Sequence, residues 1–593
     1  MTNYSNKTIR IKILAFLLIG TGIILLLIGL VPTAWLHQIL DPLTSDNNMA
    51  ALDLPQVGVA RIGIAVLGVI SLLVGLISLT KPDKMNLVFQ WLQRFYNDFS
   101  VDNRRLFKEL LINFPKGWEF LILIMVMAAG FYTRLVFLPA PMQYDEAVTF
   151  NDFASRSFIA AISDYSLPNN HVFHTLLVHI AFRLFGDAPW IVRLPAFLAG
   201  ILCIPTAYIM GRIHYNRNVG WMAAALAAWW PQMVFYSANA RGYSLLGFFS
   251  LINFVLAGVI LKRRSLAAWF WMGLVSALGL FTVPVMAYSL GILYLWLLVS
   301  FIFNENQKNY QPKQYWTSLI ATGITTLTLT IVLYLPVLFV SGPDSLFGNK
   351  FVRSFTWGEF TDRLPFFLDD IWMRFTQEMP WYAILLILLG LGLSILLHRK
   401  ISQFKIPVLA VALLFFVVVM PIQRPEMLSK LFFFSLPLLA VWAAAGWGAI
   451  LQLFPRKNLE FVISLLIMGI FAGSSIWQSL PNQPYLSGAT GVHQQIVEWI
   501  EPRMEENDIV LVDFPVDAQI LYYARRAGLS LDAFRELEQV NYQRAFVLVN
   551  PVEGQSLESV ATKRDLLIPL DLETAKEQTR INVIEIFTVT PAQ

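Results

Sequence analysis

The run His171-Val172-Phe173-His174-Thr175-Leu176-Leu177-Val178-His179-Ile180-Ala181-Phe182-Arg183-Leu184-Phe185 is apolar enough to be mistaken for a membrane span. It is also short, and His174, His179 and Arg183 interrupt it. A spanning helix needs roughly 20 apolar residues to cross a hydrocarbon core about 30 Å thick. Whether this run crosses decides the side on which every later loop emerges, so the reading works outward from it.

That a membrane is involved follows from composition. The 593 residues are 56% hydrophobic and 14% charged, with a mean hydropathy of +0.59. Apolar stretches of bilayer length recur along the chain, and such stretches have no water-compatible fold. The fold class expected is therefore a polytopic α-helical membrane protein. An aromatic share of 14% suits interfacial belts. A net charge of +4 is small for this length and argues against a nucleic-acid partner. Cys203 is the only cysteine, so no intrachain disulfide can form and no thiol chemistry is suggested. Lys7, Arg10 and Lys12 precede an apolar run too long for a signal peptide and without a small-residue cleavage pattern; it reads as a retained helix.

About thirteen spans are expected from the apolar runs. They lie near 11–31, 57–80, 118–139, 191–211, 218–238, 243–261, 266–283, 284–303, 314–340, 381–398, 405–421, 429–451 and 459–478. Basic residues in short loops mark the inner side. Arg10 and Lys12 put the N-terminus inside, and the Lys- and Arg-rich segment 81–117 follows suit. The loop 32–56 has Asp41, Asp46 and Asp53 but only neutral and acidic side chains otherwise, as an outer loop should. Span 118–139 then exits. The next basic loops, Arg212-His214-Arg217 and Lys262-Arg263-Arg264, both fall inside only if 171–185 does not cross. Segment 146–186 is thus expected to lie along the outer face as interfacial helices. Segment 83–114, with aromatic residues among its charges, reads as a surface helix on the inner side.

Three parts follow: two N-terminal spans with a linker (1–117), a membrane core (118–480), and a C-terminal extracytoplasmic α/β domain (481–593). In the last part, Asp508–Asp513, Ala545–Asn550 and Asn582–Phe587 read as strands and Ala518–Ala527 as a helix. The expected location is the inner or plasma membrane.

This threading gathers the polar groups on one face. Asp145 and Glu146, just past an apolar helix, are costly at a membrane boundary unless they act. They either cap the following helix or serve as general base or metal ligand. Neighbouring helical side chains diverge by roughly 100°, which points to different roles for the two. Low-dielectric surroundings would raise the pKa of such an acid. Arg241, beside Tyr243, is an outward arginine of the kind that grips a phosphate in two-pronged fashion. Arg424 and Lys430 are further candidates for neutralising a lipid-linked phosphate. His171 and His174, one helical turn apart, suit packing or hydrogen bonding to substrate better than a metal, for which a third ligand is lacking. A divalent metal is left open; no other cofactor is called for. Arg193 reads as structural, paired with Asp145 or Asp187.

The runs Tyr144-Asp145-Glu146, Asn169-Asn170-His171, Val192 to Gly200 and Ala240-Arg241-Gly242-Tyr243-Ser244 together resemble the GT-C glycosyltransferases. The resemblance is to the protein-mannosyltransferase and lipid A aminoarabinose-transferase-like branch, and Arg424 to Leu438 resembles its late span. It covers roughly 118–450. It implies a polyprenyl-phosphate sugar donor and inverting transfer outside the membrane to a hydroxyl of a lipid, glycan or protein. Asp145 or Glu146 would match the catalytic acid, and Arg241 the phosphate-side arginine. Two features depart from the pattern: Asn169-Asn170-His171 stands where many members have Pro-Pro, and two extra spans precede the core. Without the resemblance the chemistry is the same: a base for the acceptor hydroxyl, and positive charge for a departing phosphate. The long outer loop 341–380, carrying Trp357, Phe366, Phe367 and Trp372, is expected to cover the site. The rival class is a transporter or flippase for a lipid-linked sugar, but such proteins show repeats and midplane polar groups; a noncatalytic membrane scaffold is a third reading.

Overall fold

The computed structural model describes residues 2–44, 54–303, 310–348, 354–452, 491–534 and 542–592, the last without 564, 565 and 567, and isolated positions between 462 and 473. The expected span 459–478 and the start of the C-terminal part lie outside the described residues.

Among the described residues seven helices are long and apolar enough to cross a membrane, and four shorter apolar helices accompany them. The two N-terminal helices, Thr2–Leu30 and Leu54–Thr80, form an antiparallel hairpin. Their backbones touch because small residues meet there: a Cβ added at Gly22 would lie 2.9 Å from the carbonyl of Gly68. Small residues that admit close approach are the usual device of membrane helix pairs.

The expected span 218–238 is in fact two helices, Arg217–Trp229 and Pro231–Ser237. Pro231 has no N–H to continue the first helix and forces Trp230 into an extended conformation. The carbonyls stranded at that break are met by a buried cation. Arg134, fully buried, donates from Nη1 to the carbonyl of Ala228 at 2.7 Å and from Nη2 to that of Ala227 at 2.8 Å. A helix end that would otherwise leave bare carbonyls in the bundle is thereby satisfied. The run 381–398 is likewise not an isolated span. Helix Trp381–Leu396 follows helix Trp357–Thr376 at an angle of 109°.

Segment 146–186 contains no long helix. It folds as Tyr144–Val148, a π-helical turn Thr149–Ala154, Phe158–Ser163 and Val172–Phe185. Phe173 packs on Phe249 and Phe281. These belong to the first turns of helix Tyr243–Lys262 and the last turn of helix Leu266–Thr282, so the segment caps one end of the bundle. The other end collects the basic loops. There Arg217 pairs with Glu119 at 2.6 Å, and Arg263 with Asp102 at 2.7 Å and Glu109 at 2.6 Å. The acid pair Asp145 and Glu146 therefore lies at the end opposite the ion pairs of Arg217 and Arg263.

The C-terminal residues form a four-stranded sheet of order β1-β2-β4-β3, with β1 Asp508–Leu511, β2 Arg544–Val549, β3 Leu570–Ile581 and β4 Ile584–Pro591. β1 and β2 are parallel and joined across helix Asp517–Arg526; β4 pairs antiparallel with both β2 and β3. Helix Asp517–Arg526 turns its buried face to the acid-bearing segment. Tyr522 packs on Phe150, and the hydroxyl of Tyr523 accepts from the N–H of Met142 at 3.1 Å. Asn151 donates to the carbonyl of Ala518 at 2.8 Å. Membrane core and C-terminal unit share one apolar cluster at this contact.

Candidate active site

Asp145 and Glu146 enter the short helix Tyr144–Val148 together and leave it on opposite errands. Glu146 is fully buried. It accepts from Arg193 Nε at 2.8 Å and Nη2 at 2.6 Å, from the N–H of Ala240, and from the N–H of Gln143 at 2.9 Å. Arg193 in turn donates to the carbonyls of Leu138, Ala140 and Pro141. This knot closes the turn between helix Trp118–Leu135 and the acid helix. Glu146 has no lone pair to offer a substrate, so its placement is that of a positioning group rather than a catalytic one. The expected partner of Arg193, Asp145 or Asp187, is replaced by Glu146.

Asp145 points the other way. Its Oδ2 meets Lys430 Nζ at 3.0 Å with about a third of each side chain exposed, and its Oδ1 faces Asn169 Nδ2 at 3.4 Å. Burial by itself would raise the pKa of this carboxyl. The charges of Arg241 and Lys430 and the hydrogen bonds from Lys430 and Asn169 outweigh it and hold the group below the ordinary carboxylate value. The raised pKa expected from a low-dielectric boundary is therefore corrected: two cations decide, and Asp145 is an ionised carboxylate.

Arg241 is 3% exposed and held from several sides. Nη1 donates to Thr149 Oγ1 at 2.6 Å and to the carbonyl of Asn169 at 2.7 Å. Nη2 lies 3.1 Å from His171 Nε2. The N–H of Gly242 donates to His171 Nδ1 at 2.8 Å, so in the neutral ring Nε2 carries the proton and cannot accept from Arg241. Burial first, then the Arg241 charge, keep the His171 pKa well below its ordinary value, which holds the ring neutral. With Nη1 spent on the protein, only the buried Nε–Nη2 edge of Arg241 is left for the two-pronged contact that was expected. It acts as a fixed charge beside Asp145, while Lys430 is the more accessible cation.

The remaining candidates divide. Tyr243 packs edge-on to His171 at 4.9 Å, with the Arg241 guanidinium 5.9 Å from its ring centre. It is 2% exposed, so it supports Arg241 rather than touching a ligand. His174 is fully buried, and its ring nitrogens have no hydrogen-bond partner among the described residues. His171 and His174 are therefore interior groups behind Arg241, not an exposed substrate-binding pair. Arg424 has a left-handed backbone (φ 47°), accepts from the N–H of Phe355 at 2.9 Å, and lies over the ring of Trp357 at 5.5 Å. Its guanidinium thus lies against Trp357 and not against Asp145. Among the described residues no group of three or more His, Cys, Asp or Glu could hold a metal. Part of the long loop 341–380 forms helix Trp357–Thr376, which packs its Phe360 and Phe367 against Met427 and Phe432 on either side of Lys430. Residues 349–353 of that loop lie outside the described residues.

Asn169, Thr149 and the Asp370 carboxylate that accepts from the N–H of Ser429 at 3.2 Å were not singled out in the sequence as site residues. Asn169 was visible as part of the Asn-Asn-His run; Thr149 and Asp370 carried no signal, since isolated polar residues of those types are common.

Known proteins similar to this chain bear on its fold. The family model described as dolichyl-phosphate-mannose-protein mannosyltransferase matches residues 171–334. ArnT from Cupriavidus metallidurans is structurally similar in its apo state, at 12% sequence identity and TM-score 0.51, covering 78% of this chain and 97% of that one. The same protein bound to undecaprenyl phosphate gives 13% identity and TM-score 0.53, with the same coverage. No curated protein sequence matches significantly. The chain thus shares the fold of ArnT, and residues 171–334 within it match the mannosyltransferase family model.

Proposed function

We propose that this protein transfers a sugar, with inversion, from a polyprenyl-phosphate donor to an acceptor hydroxyl at the extracytoplasmic face of the membrane. The observation that carries the reading is the ionised Asp145 set between Lys430 and Arg241 at one end of the bundle. The resemblance to a protein bound to undecaprenyl phosphate supports a lipid-phosphate donor.

Asp145 accepts the acceptor's proton as the hydroxyl oxygen attacks the anomeric carbon. The bond from that carbon to the phosphate oxygen breaks, and the electron pair leaves with the lipid phosphate. A base this acidic removes the proton only as the new bond forms, when the hydroxyl has become acidic itself. Lys430 meets the departing charge, with Arg241 as a fixed positive background behind it. Charge neutralisation is thus assigned to two side chains. The acceptor, whether lipid, glycan or protein, enters over the exposed edge of Asp145.

The test is transfer by the purified full chain from a panel of polyprenyl-phosphate sugars, set against the same sugars on nucleotides. Turnover with a lipid donor, lost in Asp145→Asn, is expected. Preference for nucleotide donors, or indifference to that substitution, overturns the reading.

A further inference from the structure

At the bundle end opposite Asp145 lies the 32-residue helix Pro82–Asn113. At about 1.5 Å per residue it is far longer than its seat on the bundle. That seat is its C-terminal half. Asp102 accepts from Ser265 Oγ at 2.7 Å and from the N–H of Ala267 at 2.9 Å, Asn103 Oδ1 accepts from Trp271 Nε1 at 2.9 Å, and Phe99 packs on Phe270 at 5.0 Å. All of these partners sit in the first turns of helix Leu266–Thr282 or just before it. A helix lying alongside that span would meet it further down; this one crosses its end.

At about 100° per residue, Leu87, Val88, Trp91, Leu92, Phe95, Phe99, Leu106 and Leu110 fall on a single face that runs through both halves, while other apolar residues such as Phe107 and Leu111 lie off it. In the C-terminal half that face, with Leu106, is buried on the bundle. In the N-terminal half the same face carries Leu87, Val88, Trp91, Leu92 and Phe95, which are 66%, 48%, 62%, 46% and 37% exposed. Stacked rings run without a break from one half to the other: Trp91 on Phe95 at 5.7 Å, and Phe95 on Phe99 at 6.3 Å. The open stripe therefore continues a face already turned toward the membrane-spanning helices.

We infer that the N-terminal half of helix Pro82–Asn113 is a docking surface for a lipid bilayer with anionic headgroups, lying in the interface with Trp91 and its neighbours among the acyl-chain ends. Charge selects the occupant. Segment 81–116 has seven basic and four acidic residues. Two of those acids, Asp102 and Glu109, are taken up by Arg263. Arg94, Arg105 and Lys108 run along one flank of the stripe and are exposed. Long basic side chains beside an apolar stripe keep their charge at the headgroups while the stem and stripe go deeper.

The test uses the full chain with Cys203→Ser and Trp91→Cys, labelled with an environment-sensitive fluorophore and placed in phosphatidylglycerol-containing nanodiscs. Arg104→Cys, on the opposite helix face, is the reference. The label at position 91 should show blue-shifted emission and several-fold stronger quenching by lipid carrying a shallow nitroxide. Leu87→Cys should behave the same way, which guards against a local effect of losing the tryptophan. Water-like emission at 87 and 91, equal to that at 104, overturns the inference. So does shielding without nitroxide quenching, which would mean a protein covers the stripe. Equal quenching in purely zwitterionic nanodiscs overturns the anionic selection.

Discussion

Lys430 closes an ion pair with Asp145 at 3.0 Å across 285 residues of chain. The two halves of the candidate site are brought together by the fold alone, the acid from the turn after helix Trp118–Leu135 and the cation from the turn before helix Leu436–Leu451. Asp145 on its own would be a boundary acid with its pKa raised by burial. Lys430 and Arg241 together turn it into a carboxylate facing a partly exposed ammonium.

The acid pair should separate cleanly on mutation. Asp145→Asn removes the proton acceptor and should lower the transfer rate by roughly 100- to 10,000-fold while leaving the thermal midpoint near that of the parent. Glu146→Ala strands the buried Arg193 and should destabilise the protein by about 3–5 kcal/mol. Rate per folded molecule and thermal unfolding of detergent-solubilised protein measure the two effects. A rate defect equal to that of Asp145→Asn in fully folded Glu146→Gln would return Glu146 to the chemistry.

The pH dependence has a defined sign. The folded-state pKa of Asp145 is depressed, so the carboxylate persists above it and is lost only as the pH falls through a value below the ordinary 3.8. The acid limb of the pH–rate profile should therefore lie at or below that point, beyond the range in which most assays are run. Lys430→Met removes one of the opposing cations and leaves burial less opposed. The acid limb should then move to higher pH, and Lys430→Arg should restore much of it. An unshifted limb in Lys430→Met would show that the ion pair does not govern the titrating group.

Much of the site's location was legible in the sequence, and little of its division of labour. Asp145 and Glu146 are equivalent as letters; only the arrival of Arg193 from a later helix makes one of them interior. The two-pronged role expected of Arg241 is narrowed to its Nε–Nη2 edge for the same reason, because Thr149 and the Asn169 carbonyl, invisible as partners in sequence, occupy its Nη1. Hydropathy read 218–238 as one span because it averages over Pro231, a residue whose missing N–H is a purely local fact. Strand β3 escaped notice because it is a mostly polar edge strand, with no apolar alternation to detect. The expected non-crossing of 171–185 rests on charge in the flanking loops, and the structure adds that this run forms a helix of only 14 residues.

The C-terminal unit should contribute to the rate. The phenol of Tyr144, next in sequence to Asp145, bonds the Asp517 carboxylate, and its ring packs edge-on to Phe514 at 5.2 Å. Tyr144→Phe and Asp517→Asn each remove the same hydrogen bond. Their effects on turnover should be modest and clearly non-additive when combined, as for groups acting through one contact. A double-mutant cycle on rate, with donor affinity measured alongside, reads this. Strict additivity would mean that the contact does not reach Asp145.

The last prediction concerns sides. If segment 146–186 lies outside and the basic loops inside, a membrane-impermeant thiol reagent must tell the two ends apart in intact cells. The probes need exposed positions. Ser166 and Arg264 are exposed, one at the acid end and one at the basic end. In a Cys203→Ser background, Ser166→Cys should label at once in intact cells, and Arg264→Cys only after permeabilisation. The reverse pattern would invert the whole molecule and move Asp145 to the cytoplasmic face. Labelling of both in intact cells would mean that an odd number of crossings has been missed between residues 166 and 264. The structure itself ties those positions to opposite ends through helix Tyr243–Lys262, whose first turn follows Arg241 and whose last turn precedes Arg263. A helix of 20 residues spans about 30 Å, the thickness of the hydrocarbon core, so the two ends cannot share a side unless that helix fails to cross.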